Sequence, residues 1–205
     1  AGRYPGGQGV PQRQRVTVSR PADVHRMKVI GFCGYSGSGK TTLVEQLIAL
    51  LREKGLRVSV VKHAHHAFDI DHPGKDSWRH RRAGASEVVV ASNRRLAVIR
   101  EFAAIAEPTV HELIAELSSC DWVLVEGFKH ADLHKVEVWR AETGNPVQYP
   151  HDPFIVAVCT DSATLPVPTD LPVLDLNDVG AVANFLLSDS ARHEYQPPHL
   201  DSPDR

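Results

Sequence analysis

The segment Gly34 to Thr41, GYSGSGKT, follows the order GxxxxGKS/T without a gap. Phosphate binding is the chemistry that order suits. Gly34, Gly37 and Gly39 let the backbone curl until successive N–H groups point inward. The amino end of a following helix adds partial positive charge, so an anion is the natural occupant. Ser36 and Ser38 belong to the same loop. Lys40 would reach the β- and γ-phosphates, the Thr41 hydroxyl would ligate a Mg²⁺ ion bridging them, and Thr42 could bond the α-phosphate.

A metal-bound triphosphate also needs an acid. In open α/β sheets the ligand lies beyond the carboxyl ends of the strands, so position along a strand sorts the candidates. The apolar run Trp122 to Glu126 ends in Glu126, whereas Asp121 begins it, roughly 16 Å away at about 3.3 Å per residue. Glu126 is therefore assigned, with Lys40, to the catalytic centre, where it would orient Mg²⁺ or a water. Gly127 would let the chain turn close to the phosphates.

The stretch His63 to Asp76, HAHHAFDIDHPGKD, is dense in ionisable groups at the same end of the expected sheet. Asp69 and Asp71 would hold the water shell of the metal, and Lys75 could contact a γ-phosphate or a second anion. His63, His65, His66 and His72 also admit a reading as zinc or nickel ligands, although no cysteine joins them. Arg79, Arg81 and Arg82 could bind a second phosphorylated ligand or form a solvated basic face. Base identity is not fixed by these residues, because no guanine-reading NKxD segment occurs. The nearest substitute is Thr160-Asp161, where Asp161 could accept from a guanine edge.

The elements that must position these residues alternate between strand-like and helical patterns. The reading is Lys28 to Cys33 (strand), Lys40 to Lys54 (helix), Arg57 to Lys62 (strand), Asp76 to Ala83 (short basic helix), Glu87 to Ala91 and Leu96 to Phe102 (strands). Then come Thr109 to Leu117 (helix), Trp122 to Glu126, Lys135 to Arg140 and Phe154 to Thr160 (strands), and a helix from about Asn177 to Leu187. Such alternation predicts an α/β fold with a mostly parallel, doubly wound sheet, and the Gly34 to Thr41 loop between its first strand and helix makes it of P-loop NTPase type. The short polar turn Ser92 to Arg95 predicts an antiparallel hairpin extension that would make the sheet mixed. Residues 1–26 read as a flexible leader, 27–189 as the nucleotide-binding domain, and 190–205 as a disordered Pro-broken tail.

The bulk properties exclude several classes. A net charge of −2 gives no reason to expect nucleic acid or an anionic membrane as partner. Cys33, Cys120 and Cys159 are widely spaced and odd in number, which argues for reduced thiols in the cytoplasm rather than a disulfide framework or thiolate zinc site. No apolar run approaches the roughly 20 residues that span a bilayer.

Three segments carry a family resemblance: GFCGYSGSGKTTL at Gly31 to Leu43, VVKHAHHAFDIDHPGKDSWRHRRAGA at Val60 to Ala85, and DWVLVEGFKH at Asp121 to His130. Together they resemble the B protein, or adaptor, of molybdopterin-guanine dinucleotide biosynthesis, over roughly Met27 to Leu187. The middle segment is the specific one, because many NTPases share a phosphate loop. The resemblance implies GTP binding with Mg²⁺, feeble GTPase activity and a homodimer. It also implies assistance to the molybdenum cofactor guanylyltransferase that attaches GMP to molybdopterin, with molybdopterin itself a possible second ligand. It carries over the phosphate loop, Asp69, Asp71 and Glu126. Two other classes stand beside it: a nickel-insertion GTPase, favoured by the histidines, and a small-molecule kinase holding its acceptor on His63 to Arg82.

Overall fold

The computed structural model describes residues 27–64, 68–104 and 106–198. Residues 1–26, read above as a leader, with His65, His66 and residues 199–205, lie outside them.

Strand β1 (Lys28–Cys33) is almost wholly buried and apolar, as a strand covered on both faces must be. Helix α1 (Lys40–Glu53) follows the phosphate loop and turns Leu43, Val44, Leu47 and Leu51 inward at helical spacing. The remaining strands of the main sheet are β2 (Val58–Lys62), β5 (Trp122–Glu126), β6 (Lys135–Trp139), β7 (Ile155–Thr160) and β8 (Val173–Asp175). They lie in the order β2-β5-β1-β6-β7-β8, with every pairing parallel. β1 is therefore central, flanked by β5 on one side and β6 on the other, and its carboxyl end opens where the strand order reverses. Such a crevice is where a doubly wound sheet binds its ligand.

Helices cover both faces. α1 and α4 (Val179–Ser188) pack on Ile30, Phe32, Leu124, Val136 and Val138. Asp178 caps α4 by accepting from Ala181 N at 2.9 Å. On the other face α3 (Val110–Ala115) seats Val110 and Ile114 among Val29, Val123 and Val125. Its capping box pairs Thr109 with Glu112, the cap expected at that threonine. A third cluster, including Cys33, Trp139 and Tyr149, continues the core under the segment after β6.

Three expectations change. The hairpin β3 (Glu87–Ala91) and β4 (Leu96–Arg100) forms as read, but pairs only with itself, so the six-stranded sheet is purely parallel and not mixed. With α2 (Asp76–Arg82), which buries none of its residues, the hairpin makes a separate arm. Strand β8 was not anticipated; three residues after Pro172 carry too little pattern to read. The tail boundary at Ser190 is also corrected. Tyr195 N donates to Met27 O at 2.8 Å, Glu194 bridges Lys28, and both His193 and Tyr195 are buried. Their aromatic rings outweigh the polar residues around them.

Candidate nucleotide site

The chain leaves β1 through Gly34, whose φ of 133° few side chains tolerate, and an added Cβ there would run into the carbonyl oxygen of Val138. Close packing against β6 thus requires glycine at that turn. The loop then delivers Gly39 as the cap of α1, with Ser38 buried beneath it. Lys40 folds its ammonium back over the loop, donating to Tyr35 O at 2.7 Å and lying 3.5 Å from Ser38 Oγ. Burial pushes its pKa down, against the opposing pull of Glu126.

Across from the loop stands the carboxyl end of β5. Glu126 is 8% exposed, and its Oε1 accepts from Thr41 Oγ1 at 2.6 Å and from Lys62 Nζ at 3.0 Å. Burial alone would raise its pKa. The hydrogen bonds from Thr41 and Lys62 outweigh that and hold the carboxyl below the ordinary range. Gly127 follows at φ 99°, and a Cβ there would lie 2.8 Å from His63 Cβ.

Between these walls is a cavity of about 600 Å³. Gly34, Ser36, Gly37, Gly39, Lys40, Thr41 and Thr42 border it, as the phosphate-loop reading expects, while Ser38 lies beneath. Glu126 borders it from β5. So do Lys62, Lys129 and Arg140, which sequence reading passed over. Two of them were legible by the rule applied to Glu126: Lys62 ends β2 in register with Glu126, and Arg140 directly follows β6. Lys129 carries no such mark. It is held by a contact from elsewhere, since the buried Lys135 donates to the carbonyls of Lys129 and Ala131 at 2.9 and 2.7 Å.

Lys40, Lys62, Lys129 and Arg140 thus border the cavity together with the carboxylate of Glu126. The arrangement suits a polyanion, and the paired oxygens of Thr41 and Glu126 suit Mg²⁺, a hard cation that takes few protein oxygens and shares the rest with phosphates and water.

Other expected residues are placed elsewhere. Asp69 and Asp71 do not border the cavity. Arg81 binds them instead, its Nη1 lying 2.8 Å from Asp69 Oδ1 and 3.2 Å from Asp71 Oδ2, while its Nε meets Glu101 Oε1 at 2.6 Å. That ion-pair cluster holds the two acids on Arg81, away from the cavity, and leaves Arg81 engaged rather than open to a second phosphate. Arg82 lies over the Trp78 ring. Asp161 sits just past β7 and reaches the site only through Arg140, whose Nε and Nη2 donate to its Oδ2 at 2.7 and 2.6 Å. Asp121, at the amino end of β5, accepts from Arg57 N at 2.7 Å. His63 borders the cavity and lies against Phe128, its ring tilted at 35° with centroids 4.8 Å apart. Among the described residues no three of His, Cys, Asp or Glu are grouped to hold a metal ion.

Comparison with known proteins identifies the family. The family model for molybdopterin guanine dinucleotide synthesis protein B matches residues 29–161. The chain is 38% identical over 162 residues to the molybdopterin-guanine dinucleotide biosynthesis adapter protein of Escherichia coli, covering 78% of this chain and 91% of that one. Its likeness to the adapter protein of Haemophilus influenzae is 38% over 165 residues, covering 79% and 89%. The solved structure of a MobB protein homolog from Bacillus stearothermophilus superposes with a TM-score of 0.60 at 28% identity, covering 81% of this chain and 99% of that chain. The chain belongs to the molybdopterin guanine dinucleotide synthesis protein B family.

Proposed function

We propose that the chain is a GTP-binding adapter of molybdopterin guanine dinucleotide biosynthesis that assists the guanylyltransferase and hydrolyses GTP weakly with Mg²⁺. The observation that carries the nucleotide reading is the convergence of Lys40, Lys62, Lys129 and Arg140 on the loop that begins at Gly34, with the Thr41–Glu126 pair at the wall. Slow turnover fits the same geometry. Glu126 is already an acceptor for Thr41 and Lys62, which engages it in binding rather than in taking a proton from water. Family membership supports the adapter role over the nickel-insertion and kinase readings.

The arm supports a homodimer. Val89, Val98 and Leu96 lie on one face of the hairpin and are about half exposed, and Phe68, Ile70 and Phe102 add to the apolar surface. A second copy of this chain is the occupant that the family resemblance implies for such a surface. Val89→Asp with Val98→Asp should shift the sedimentation coefficient to that of a monomer. A cytoplasmic setting fits three buried cysteines with no disulfide, and no helix among the described residues is long and apolar enough to cross a membrane.

Titration calorimetry with Mg²⁺ and GTP tests the central reading. Lys40→Ala should weaken binding by at least about 2 kcal/mol through loss of a charge-assisted contact. Unchanged affinity would remove Lys40 from the site. Direct binding of the purified chain to the guanylyltransferase tests the adapter role, which fails if no complex forms with or without GTP.

A further inference from the structure

One oxygen in the site serves two donors of different character. Glu126 Oε1 accepts from Thr41 Oγ1 and from Lys62 Nζ. Thr41 is fixed by the first turn of α1. Lys62 is the last residue of β2, which ends the sheet order, and its side chain is 56% exposed against 10% for Glu126. Its backbone is pinned by parallel register with Glu126, yet its long flexible stem can swing without disturbing the core. The ammonium therefore holds the same carboxylate oxygen that Thr41 bonds, beside the place where a divalent cation shared by Thr41 and Glu126 would lie, and Lys62 also borders the cavity.

We propose that Lys62 is an exchangeable counter-cation of the site. It competes with Mg²⁺ for Glu126 Oε1 and, on yielding that oxygen, carries its charge to the phosphates of the nucleotide. The exchange rests on reading the cavity as a Mg²⁺–nucleoside triphosphate site, and it gives Lys62 two effects of opposite sign. Without Mg²⁺, Lys62 is one of the few charges available to neutralise the triphosphate, so it strengthens binding. With Mg²⁺, it opposes entry of the metal, so more Mg²⁺ is required. A lysine that merely stiffened the edge of the sheet would shift both quantities the same way.

Calorimetry on the full chain separates these cases, measuring GTP affinity in EDTA and the Mg²⁺ concentration that gives half of the metal-dependent gain. Lys62→Met should weaken Mg²⁺-free GTP binding about 10-fold or more, while lowering the half-effective Mg²⁺ concentration about fivefold. Lys62→Arg should restore Mg²⁺-free binding. Parallel weakening of both quantities, or no change in either, would overturn the exchange and leave the site reading standing. A wild-type chain that binds no GTP under any condition would overturn the site reading and the exchange with it.

Discussion

Asp121 and Glu126 stand at the two ends of β5, and their partners differ in kind. Asp121 accepts from the backbone N–H of Arg57 and lies 3.8 Å from that residue's exposed guanidinium, a surface pairing of small energetic weight. Glu126 is buried, ionised, and bonded to the hydroxyl and ammonium that border the cavity. Charge matters at one end and hydrogen-bond geometry at the other. Glu126→Gln keeps an acceptor for Thr41 but removes the negative charge facing Lys62 and the proposed Mg²⁺ position. It should reduce the Mg²⁺-dependent part of GTP affinity by about 1–2 kcal/mol. Asp121→Asn keeps an acceptor for Arg57 N and should change it by less than about 0.5 kcal/mol. Nucleotide titrations with and without Mg²⁺ give the comparison directly; the reverse order would place the metal at the wrong end of the strand.

Between the residue and the molecule, the elements decide which side chains reach the site. β6 contributes Lys135, which is 1% exposed and spends its charge on the carbonyls of Lys129 and Ala131 and on Asp152 Oδ2 at 2.7 Å. It ties the loop after β5 to the approach to β7, and so fixes where Lys129 stands. Lys135→Met would leave Asp152 and two carbonyls without this donor. It should lower the unfolding free energy by about 3 kcal/mol, and GTP affinity should fall with the loosening of Lys129. Urea denaturation beside calorimetry reads both, and an unaltered denaturation midpoint would mean that the strut contributes nothing to stability. Such a contact was not legible in the sequence, where Lys135 reads only as the start of a strand. What could be read followed from burial. β1 and β5 were bounded to the residue because strands covered on both faces are continuously apolar, and the glycine-lysine order named its own loop. The placing of Asp69 and Asp71 could not be read. Their density suggested a metal shell, but Arg81, ten and twelve residues away, competes for them only once α2 has formed.

At the scale of the whole molecule, the sheet presents its carboxyl ends to the proposed nucleotide cavity and its amino ends to the segment that holds His193 and Tyr195. His193 lies in that segment, 2% exposed, near the rings of Trp122, His134 and Phe185, and neither ring nitrogen has a hydrogen-bond partner among the described residues. Burial, with smaller contributions from His134 and Arg192, pushes its pKa from 6.5 down to about 4. The folded chain therefore keeps this imidazole neutral where the unfolded chain binds a proton. Stability from this group is full above about pH 6.5, falls as pH drops through the window to about 4, and is level below it. Across that whole window the loss is about 3 kcal/mol, and about 2 kcal/mol of it falls between pH 7 and pH 5. Titrating carboxylates add their own dependence, so the comparison must be with a variant. His193→Phe keeps a ring among Trp122 and Phe185 and cannot take the proton. In urea denaturation the wild type should lose about 2 kcal/mol more than His193→Phe between pH 7 and pH 5. Equal losses would show that the imidazole is protonated as readily in the folded chain as in the unfolded one, and that the terminal segment does not seal the amino edge of the sheet.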